Sequence, residues 1–228
     1  MNGYIIWRSR AIVAIATGFN RPSSNRKTGR QIQVWILNAS IDPVSAAQNG
    51  RDSVVCGDCP LRGVPDRKVN EVKERACYVN IGQAPFTIWQ AWKRGAYKPL
   101  PSVDVFNGRS VRFGAYGDPV KIPLPLIRSI ASTADSFTGY THQWRQSWAQ
   151  GYREFLMASA DSAEDSFQAQ RIGWRTFRIG QVGISGEVEC LNASHGITCD
   201  RCQLCAGTSK PAKSIWIRPH GNGTKYLQ

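Results

Sequence analysis

The sequence predicts an α/β protein built on a parallel β-sheet. From Val111 onward, apolar segments with the composition of strands alternate with amphipathic helical segments, which is typical of βαβ units. Each predicted strand is apolar along its length and becomes polar at its carboxyl end, where α/β barrels and open sheets bind their ligands. The pattern fits an open doubly wound sheet as well as a partial or full barrel.

We predict that residues 1–30 form a basic N-terminal arm and that residues 31–228 form the α/β domain. The arm begins with a short apolar segment and continues into the polar, basic sequence NRPSSNRKTGR. Residues 31–38 (QIQVWILN) then predict the first strand, because they are rich in β-branched and aromatic side chains.

Two short helices and a cysteine-containing loop are expected after this strand. Asp42 and Pro43 have the positions of an N-cap and a first helical residue, and Gly50 is expected to end that helix. The segment ERACYVNI predicts that Cys77 lies at or beside a short strand. Residues 84–95 (APFTIWQAWKRG) have helical spacing and a glycine stop.

The later elements alternate regularly, and their strand ends supply a candidate ligand-binding edge. The predicted strands are VRFGAYGDP, FTGYTHQW, EFLMASADS, WRTFRIG and KSIWIRPHG, and the predicted helices are LPLIRSIASTAD and AEDSFQAQRIG. The polar residues at the strand ends are Asp118, Thr141, His142, Gln143, Ser159, Asp161, Ser162, Arg178 and His220. The structural alternatives are helix capping for Asp161 and Ser162, a turn role for Asp118, and a surface position for His142.

Seven cysteines form two groups with metal-ligand spacing. The early cysteine group is spaced C-x2-C-x17-C and the late cysteine group C-x8-C-x2-C-x2-C. Their members are Cys56, Cys59 and Cys77, and then Cys190, Cys199, Cys202 and Cys205. Closely spaced thiolates on one turn are suited to a single inorganic centre. The late group fits an iron–sulfur cluster or a four-thiolate zinc site, and either would stabilise its loop.

The early group has three thiols, so a tetrahedral zinc site would need a fourth ligand that the neighbouring sequence does not offer. A [4Fe–4S] cluster held by three thiolates leaves one iron open for a substrate or cofactor. The alternative for Cys77 is an ordinary buried strand cysteine.

The formal net charge of +13 favours polyanionic partners such as nucleic acid, with a merely basic surface as the alternative. No run approaches the ~20 apolar residues of a membrane span. The apolar stretch at 11–19 is short and lacks a signal-peptide cleavage site. Clustered cysteines without a disulfide pattern favour a reducing cytoplasm. The sequence leaves the oligomeric state open.

Six segments together resemble a known group of proteins. They are CGDCPLRG, ACYVNIGQAP, VRFGAYGDP, GYTHQW, FLMASADS and TCDRCQLCAG. From about Gln31 onward, the chain resembles uncharacterised bacteriophage proteins related to the radical SAM superfamily. The resemblance implies a partial (β/α) barrel, a host-cytoplasmic location, and a [4Fe–4S] cluster that binds S-adenosylmethionine through its open iron.

The resemblance also implies roles for individual residues. The early cysteine group would hold the cluster, and GAYGDP would form the glycine-rich strand end that receives the methionine amine. The expected catalytic residues are Asp118, His142 and Ser159, and the expected cofactor-binding residues are Gly114, Gly117, Asp118, Thr141 and Arg178. The superfamily's usual spacing is C-x3-C-x2-C, so a relative with changed chemistry is an alternative.

Three functions therefore follow as hypotheses. The first is a radical SAM-like iron–sulfur enzyme acting on nucleic acid or a nucleotide. The second is a non-enzymatic nucleic-acid-binding protein stabilised by iron–sulfur or zinc. Its phosphate contacts would include Arg26, Lys27, Arg30, Lys93, Arg94 and Lys213. The third is a zinc-stabilised α/β domain that binds other proteins.

Overall fold

The structure is a computed structural model, and it describes residues 2–66, 68–69, 71–221 and 223–226. It has a mixed α/β architecture with one ten-stranded sheet and a separate two-stranded hairpin. The strands are β1 Gly3–Arg8, β2 Ile12–Thr17, β3 Ile32–Asn38, β4 Val64–Asp66, β5 Glu71–Lys73, β6 Lys98–Pro99, β7 Ser110–Tyr116, β8 Ser136–Thr141, β9 Met157–Ala160, β10 Thr176–Ile179, β11 Glu187–Glu189 and β12 Ser214–Ile217.

The helices are shorter than is usual for α/β proteins. The α-helices are α1 Pro43–Gln48, α2 Ser53–Cys56, α3 Ala84–Lys93, α4 Leu124–Thr133, α5 Ala163–Arg171, α6 Leu191–His195 and α7 Cys199–Cys202. The 3-10 helices are Arg26–Thr28, Pro60–Arg62, Val103–Phe106, Pro119–Lys121, Gln143–Arg145, Ser147–Glu154, Gly207–Ser209 and Thr224–Tyr226. As expected, the Asp42 side chain caps α1 by accepting from Val44 and Ser45.

The order of the strands explains where a site can form. The sheet runs β11-β12-β10-β9-β8-β7-β3-β2-β1-β6, and from β3 to β12 every neighbouring pair is parallel. Five of these strands follow one another in the sheet in the same order as in the sequence: β3, β7, β8, β9 and β10. Because they are parallel, their carboxyl ends lie at one edge of the sheet. We call this the carboxyl edge. In the described residues the sheet stays open, with β11 and β6 at its two ends, and does not close into a barrel.

The first thirty residues differ from the predicted arm. Residues 3–17 form β1 and β2, which pair antiparallel with each other and with β3. Every residue of β2 and β3 is buried, so these strands are central to the sheet. Only the stretch between β2 and β3 remains a basic loop.

The two faces of the sheet carry different side chains. On one face, Val111 and Phe113 of β7 join Ile127 and Ile130 of α4 in the main core, and all four are fully buried. On the other face, a smaller cluster of Met157 and Ile215 includes the buried Cys205. The late cysteine group therefore belongs to the face that α4 leaves uncovered.

Candidate functional site

A buried ion-pair network fastens the loop that carries the early cysteine group. Asp52 is buried, and its carboxylate binds Arg62 Nη2 at 2.6 Å and Arg75 Nη1 at 3.6 Å. Arg62 also donates to the carbonyl oxygens of Gly57 and Gly50, at 3.2 and 3.0 Å. These contacts fold the loop back on itself, so that cysteines distant in sequence come close in space.

The three early thiols converge at the carboxyl edge beyond β3. Cys56 ends α2, and the Cys77 amide donates to Leu61 O at 2.9 Å, which brings Cys77 back towards the Cys59 turn. Cys59 and Cys77 pack against the same apolar cluster, which includes Leu61. Burial raises the pKa of Cys56 well above its ordinary value, and the negative charges of Cys59 and Asp52 raise it further. Burial likewise raises the pKa of Cys77.

Asp118 organises the neighbouring strand ends. It lies directly after β7 and is buried, and its Oδ2 accepts from Thr141 Oγ1 at 2.9 Å and from the His142 amide at 3.1 Å. Its Oδ1 accepts from the Val120 amide at 3.2 Å. Burial is the largest effect on the carboxyl group and raises the pKa of Asp118, although these hydrogen bonds oppose the shift. Asp118 and Thr141 thus hold the loop that presents His142.

His142 stands between a carboxylate and a cysteine of the early group. Its Nε2 lies 3.5 Å from Asp161 Oδ1 and 3.4 Å from Oδ2. Burial lowers the pKa of His142, but interaction with Asp161 and with the adjacent Cys59 thiol outweighs this, and the net pKa is well above the ordinary value. The raised pKa favours an imidazole that carries a proton beside Asp161 and Cys59. The sequence predicted His142 and Asp161 at the same edge, but not the contact of His142 with Cys59.

A second contact joins the His142 loop to the cysteine loop. Gln143 Nε2 donates to Cys56 O at 3.4 Å. Gly57 has φ of +59°, and a Cβ there would lie 2.6 Å from the Gln143 side chain. Glycine is thus required for the cysteine loop to approach β8 so closely.

The glycines of GAYGDP serve the backbone's own packing. Gly114 has φ of +73°, and a Cβ there would lie 2.9 Å from Gly117 O. Gly117 has φ of +77°, and its Cβ would lie 2.6 Å from Ile36 O in β3. Both glycines allow the tight turn after β7 that places Asp118 next to Thr141 and His142.

Two other expected site residues have local partners. Arg178 is paired with Glu187, whose carboxylate accepts from Arg178 Nε and Nη2 at 2.9 and 2.7 Å. Both side chains of this pair are buried, so the guanidinium is already engaged by a structural partner. Ser159 lies in register with Phe177, and its carbonyl oxygen accepts from Trp144 Nε1 at 2.9 Å.

The late cysteine group gathers on the uncovered face of the sheet. Cys205 is buried beside Tyr140, and burial raises the pKa of its thiol to about 12. Burial also raises the pKa of Cys199 to about 11, while Arg112 of β7 opposes the shift. Cys190 and Cys202 lie close enough to Cys199 and Cys205 to raise the pKa of both thiols further.

The two cysteine groups are connected by a shared apolar cluster. Ile179 of β10 and Ile217 of β12 belong to a buried cluster against which Cys59, Cys77 and Cys190 all pack. Nearby, Tyr78 stacks on His220, with ring centroids 5.2 Å apart and planes 5° apart. His220 follows β12, so a further strand end contributes to this region.

The donor set is chemically suited to a thiophilic metal, because soft thiolates select zinc and iron–sulfur clusters. All seven cysteines are free thiols. Among residues 2–66, 68–69, 71–221 and 223–226, no group of three or more Cys, His, Asp or Glu side chains is arranged so that it could hold a metal ion. The donors are thus neighbours without being in ligating positions.

Comparisons with protein-family models, curated proteins and solved structures give no match to this chain. Within the described part of the chain, no helix combines the length and the apolar character needed to cross a membrane.

Some residues of the site were not anticipated from the sequence. Asp52, Arg62 and Arg75 fasten the cysteine loop, and Tyr78 contributes its ring beside Cys77. The only available signal was their position next to the cysteines, because ion pairing across a loop leaves no periodic pattern.

Proposed function

We propose that this protein is an iron–sulfur enzyme whose reactive centre is the early cysteine group. The observation that carries the proposal is the convergence of three thiols with the His142–Asp161 pair at the carboxyl edge. That edge is where parallel α/β sheets position ligands and reacting groups. The consecutive order of the parallel strands also agrees with a radical SAM-like, partly barrel-shaped sheet.

Each group of the chain has a distinct role in this proposal. Cys56, Cys59 and Cys77 would hold a [4Fe–4S] cluster, for which their thiols would have to be deprotonated. When bound, such a cluster with S-adenosylmethionine supplies one-electron chemistry. Asp118 acts as a positioning residue, because its carboxylate is already occupied by Thr141 and His142. His142, held by Asp161, donates or retains a proton beside the cluster.

The late cysteine group is proposed to hold a second centre with a mainly structural role. Cys205 is buried, and its carbonyl oxygen accepts from the Gly139 amide of β8 at 3.3 Å. A metal there would fasten residues 190–205 to the uncovered face of the sheet. Nucleic acid or a nucleotide is the proposed substrate, in keeping with the net charge of +13.

Anaerobic purification with iron and acid-labile sulfide analysis tests the proposal. We expect brown protein with about four irons per cysteine group, since four irons form each [4Fe–4S] cluster. Cys56→Ala should lose the early cluster, and with it reductive cleavage of S-adenosylmethionine. Cys202→Ala should lose the late cluster and keep that cleavage. Colourless protein with stoichiometric zinc would contradict the enzyme proposal.

A second candidate is a metal-stabilised nucleic-acid-binding protein without catalysis. The integration of the late cysteine group into the packing around Tyr140 and Met157 favours it, because a metal there stabilises the fold whatever happens at the carboxyl edge. Zinc in both groups together with salt-sensitive oligonucleotide binding would support this candidate.

A further inference from the structure

The end of the sheet formed by β2, β1 and β6 carries many basic residues and very few acidic ones. The first 41 residues contain six Arg and Lys residues and no Asp or Glu. Residues 76–103 add Lys93, Arg94 and Lys98, again without an acidic residue. All nine cations are exposed, and within the described residues none of them forms an ion pair.

Part of this charge lies at the same edge as the early cysteine group. β1 runs in the direction of β3, because each of them is antiparallel to β2. Arg8 ends β1 and therefore lies at the carboxyl edge. Trp89 Nε1 donates to Asn38 O at 2.9 Å, which anchors α3 at the end of β3.

Aromatic rings and cations alternate there. The guanidinium carbon of Arg8 lies 5.8 Å from the centre of the Trp92 ring. Lys93 Nζ lies 5.3 Å from the Trp92 ring and 5.4 Å from the Trp89 ring. Both indoles are half-buried, so each keeps an accessible part. We call Arg8, Arg10, Trp89, Trp92, Lys93 and Arg94 the edge patch.

We infer that the edge patch binds single-stranded nucleic acid and leads it along the carboxyl edge towards the early cysteine group. Cations beside half-exposed indoles combine phosphate attraction with surfaces on which bases stack, as single-strand-binding grooves do. Asp42 of the adjoining α1 is already engaged in capping that helix. The inference rests on the proposed function, because it names the substrate class for the same edge.

The distance to the site is compatible with a short stretch of chain. Four strand spacings separate β1 from β8, and at ~4.8 Å each this is about 19 Å. A polyanion of several nucleotides can cover that distance at ~3.4 Å or more per phosphate. A single nucleic-acid strand bound at the edge patch is therefore long enough to reach His142.

The chain offers a matched control for this surface. The test variant combines Arg8→Gln, Lys93→Gln and Arg94→Gln. The control combines Arg21→Gln, Arg26→Gln and Lys27→Gln in the loop between β2 and β3, at the opposite edge of the sheet. Each variant removes two Arg and one Lys, and all six side chains are exposed, so both should fold.

Binding is measured by fluorescence anisotropy with a labelled single-stranded oligodeoxynucleotide at several salt concentrations. We expect the patch variant to bind about tenfold more weakly at low salt, with the salt slope reduced by about 2, since each phosphate contact on a single strand contributes ~0.7. The control variant should change both quantities much less. Equal losses in both variants, or tighter binding of duplex than of single-stranded DNA, would overturn the inference.

Failure of this inference can be told apart from failure of the proposed function. Cys56→Ala lies outside the patch and should keep full oligonucleotide affinity while losing the early cluster. The patch variant should keep its iron and sulfide content. Loss of oligonucleotide binding in Cys56→Ala would show that the site depends on the cysteine loop instead of the edge patch.

Discussion

Asp118 shows how one buried carboxyl group can hold several strand ends together. It joins three elements through bonds to Thr141, His142 and Val120. The sequence marked it as a strand-end acid, which is correct, but its surroundings supply three donors and leave it little capacity for a ligand. Whether such a residue faces a cofactor or its own backbone depends on loop geometry, which no local pattern encodes.

The raised pKa of Asp118 gives a pH-dependent prediction. Because the folded state binds this proton more tightly than the unfolded chain, wild-type protein gains stability as the pH falls through the raised pKa, until the ordinary value of 3.8 is passed. Asp118→Asn cannot titrate here and should lack this gain. Urea unfolding of both proteins across acidic pH measures the difference.

Asp118→Ala serves as a control, because it removes the acceptor altogether. It should lose more than about 2 kcal/mol at every pH, since buried donors are left without a partner. The assigned pKa direction would be contradicted if the stability of wild type relative to Asp118→Asn did not change with pH, or if it decreased on acidification.

At the scale of elements, strands β7, β8, β9, β10 and β12 and helices α4 and α5 follow the sequence prediction closely. Their apolar strands, helix caps and glycine stops are local signals, and residues such as Ser162, which caps α5, act as expected. The β1–β2 hairpin escaped prediction for two physical reasons. β2 is buried throughout and lacks alternation, and the turn of the hairpin contains Ser9 and Arg10 in place of the usual Gly or Asn.

The Arg178–Glu187 pair ties β10 to β11 across β12. Glu187 also accepts from the Ile184 amide at 3.1 Å and from Ser166 Oγ at 3.4 Å, so its carboxylate is fully engaged and buried. Glu187→Ala should cost about 3–5 kcal/mol, because it leaves the Arg178 charge buried without a partner. Chemical denaturation measures this loss.

A paired replacement separates a structural role of Arg178 from a role in cofactor binding. Arg178→Met with Glu187→Leu removes both charges at similar volume and should be far less destabilising than Glu187→Ala alone. Under the proposed function, Arg178 and Glu187 lie outside the reactive centre, so the double variant should also match the wild type in iron content and in the assay for S-adenosylmethionine cleavage. A double variant that is stable but inactive would show that Arg178 has a role in cofactor binding or catalysis.

For the whole molecule, the two cysteine groups illustrate what spacing can and cannot predict. The x2 spacings place cysteine pairs on short local structures: the Cys59 amide donates to Cys56 O at 3.4 Å, and Cys199–Cys202 forms α7. The approach of Cys77 depends on the Asp52–Arg62–Arg75 network, and the approach of His142 depends on the order of the strands. Both are long-range consequences of the fold, so the sequence predicted the edge but not the set of contacts.

The position of β1 and β2 leads to a prediction about the whole fold. A chain beginning at Gln31 lacks both strands and exposes one side of β3, every residue of which is buried in the intact protein. It also loses the bond from Trp35 Nε1 to Thr17 Oγ1 at 2.8 Å. The lost burial should exceed a net stability of about 5–15 kcal/mol, so we expect an unfolded or aggregated product.

Circular dichroism and size-exclusion chromatography of the truncated chain test this expectation. The control replaces Pro22, Ser23 and Ser24 with Gly-Ser-Gly, which alters the basic loop but keeps both strands. That variant should remain folded, because a surface loop tolerates such changes. If residues 31–228 alone gave a monomer with native near-ultraviolet dichroism, the hairpin would be a dispensable arm after all, and the sheet's stability would have to come from β3 to β12.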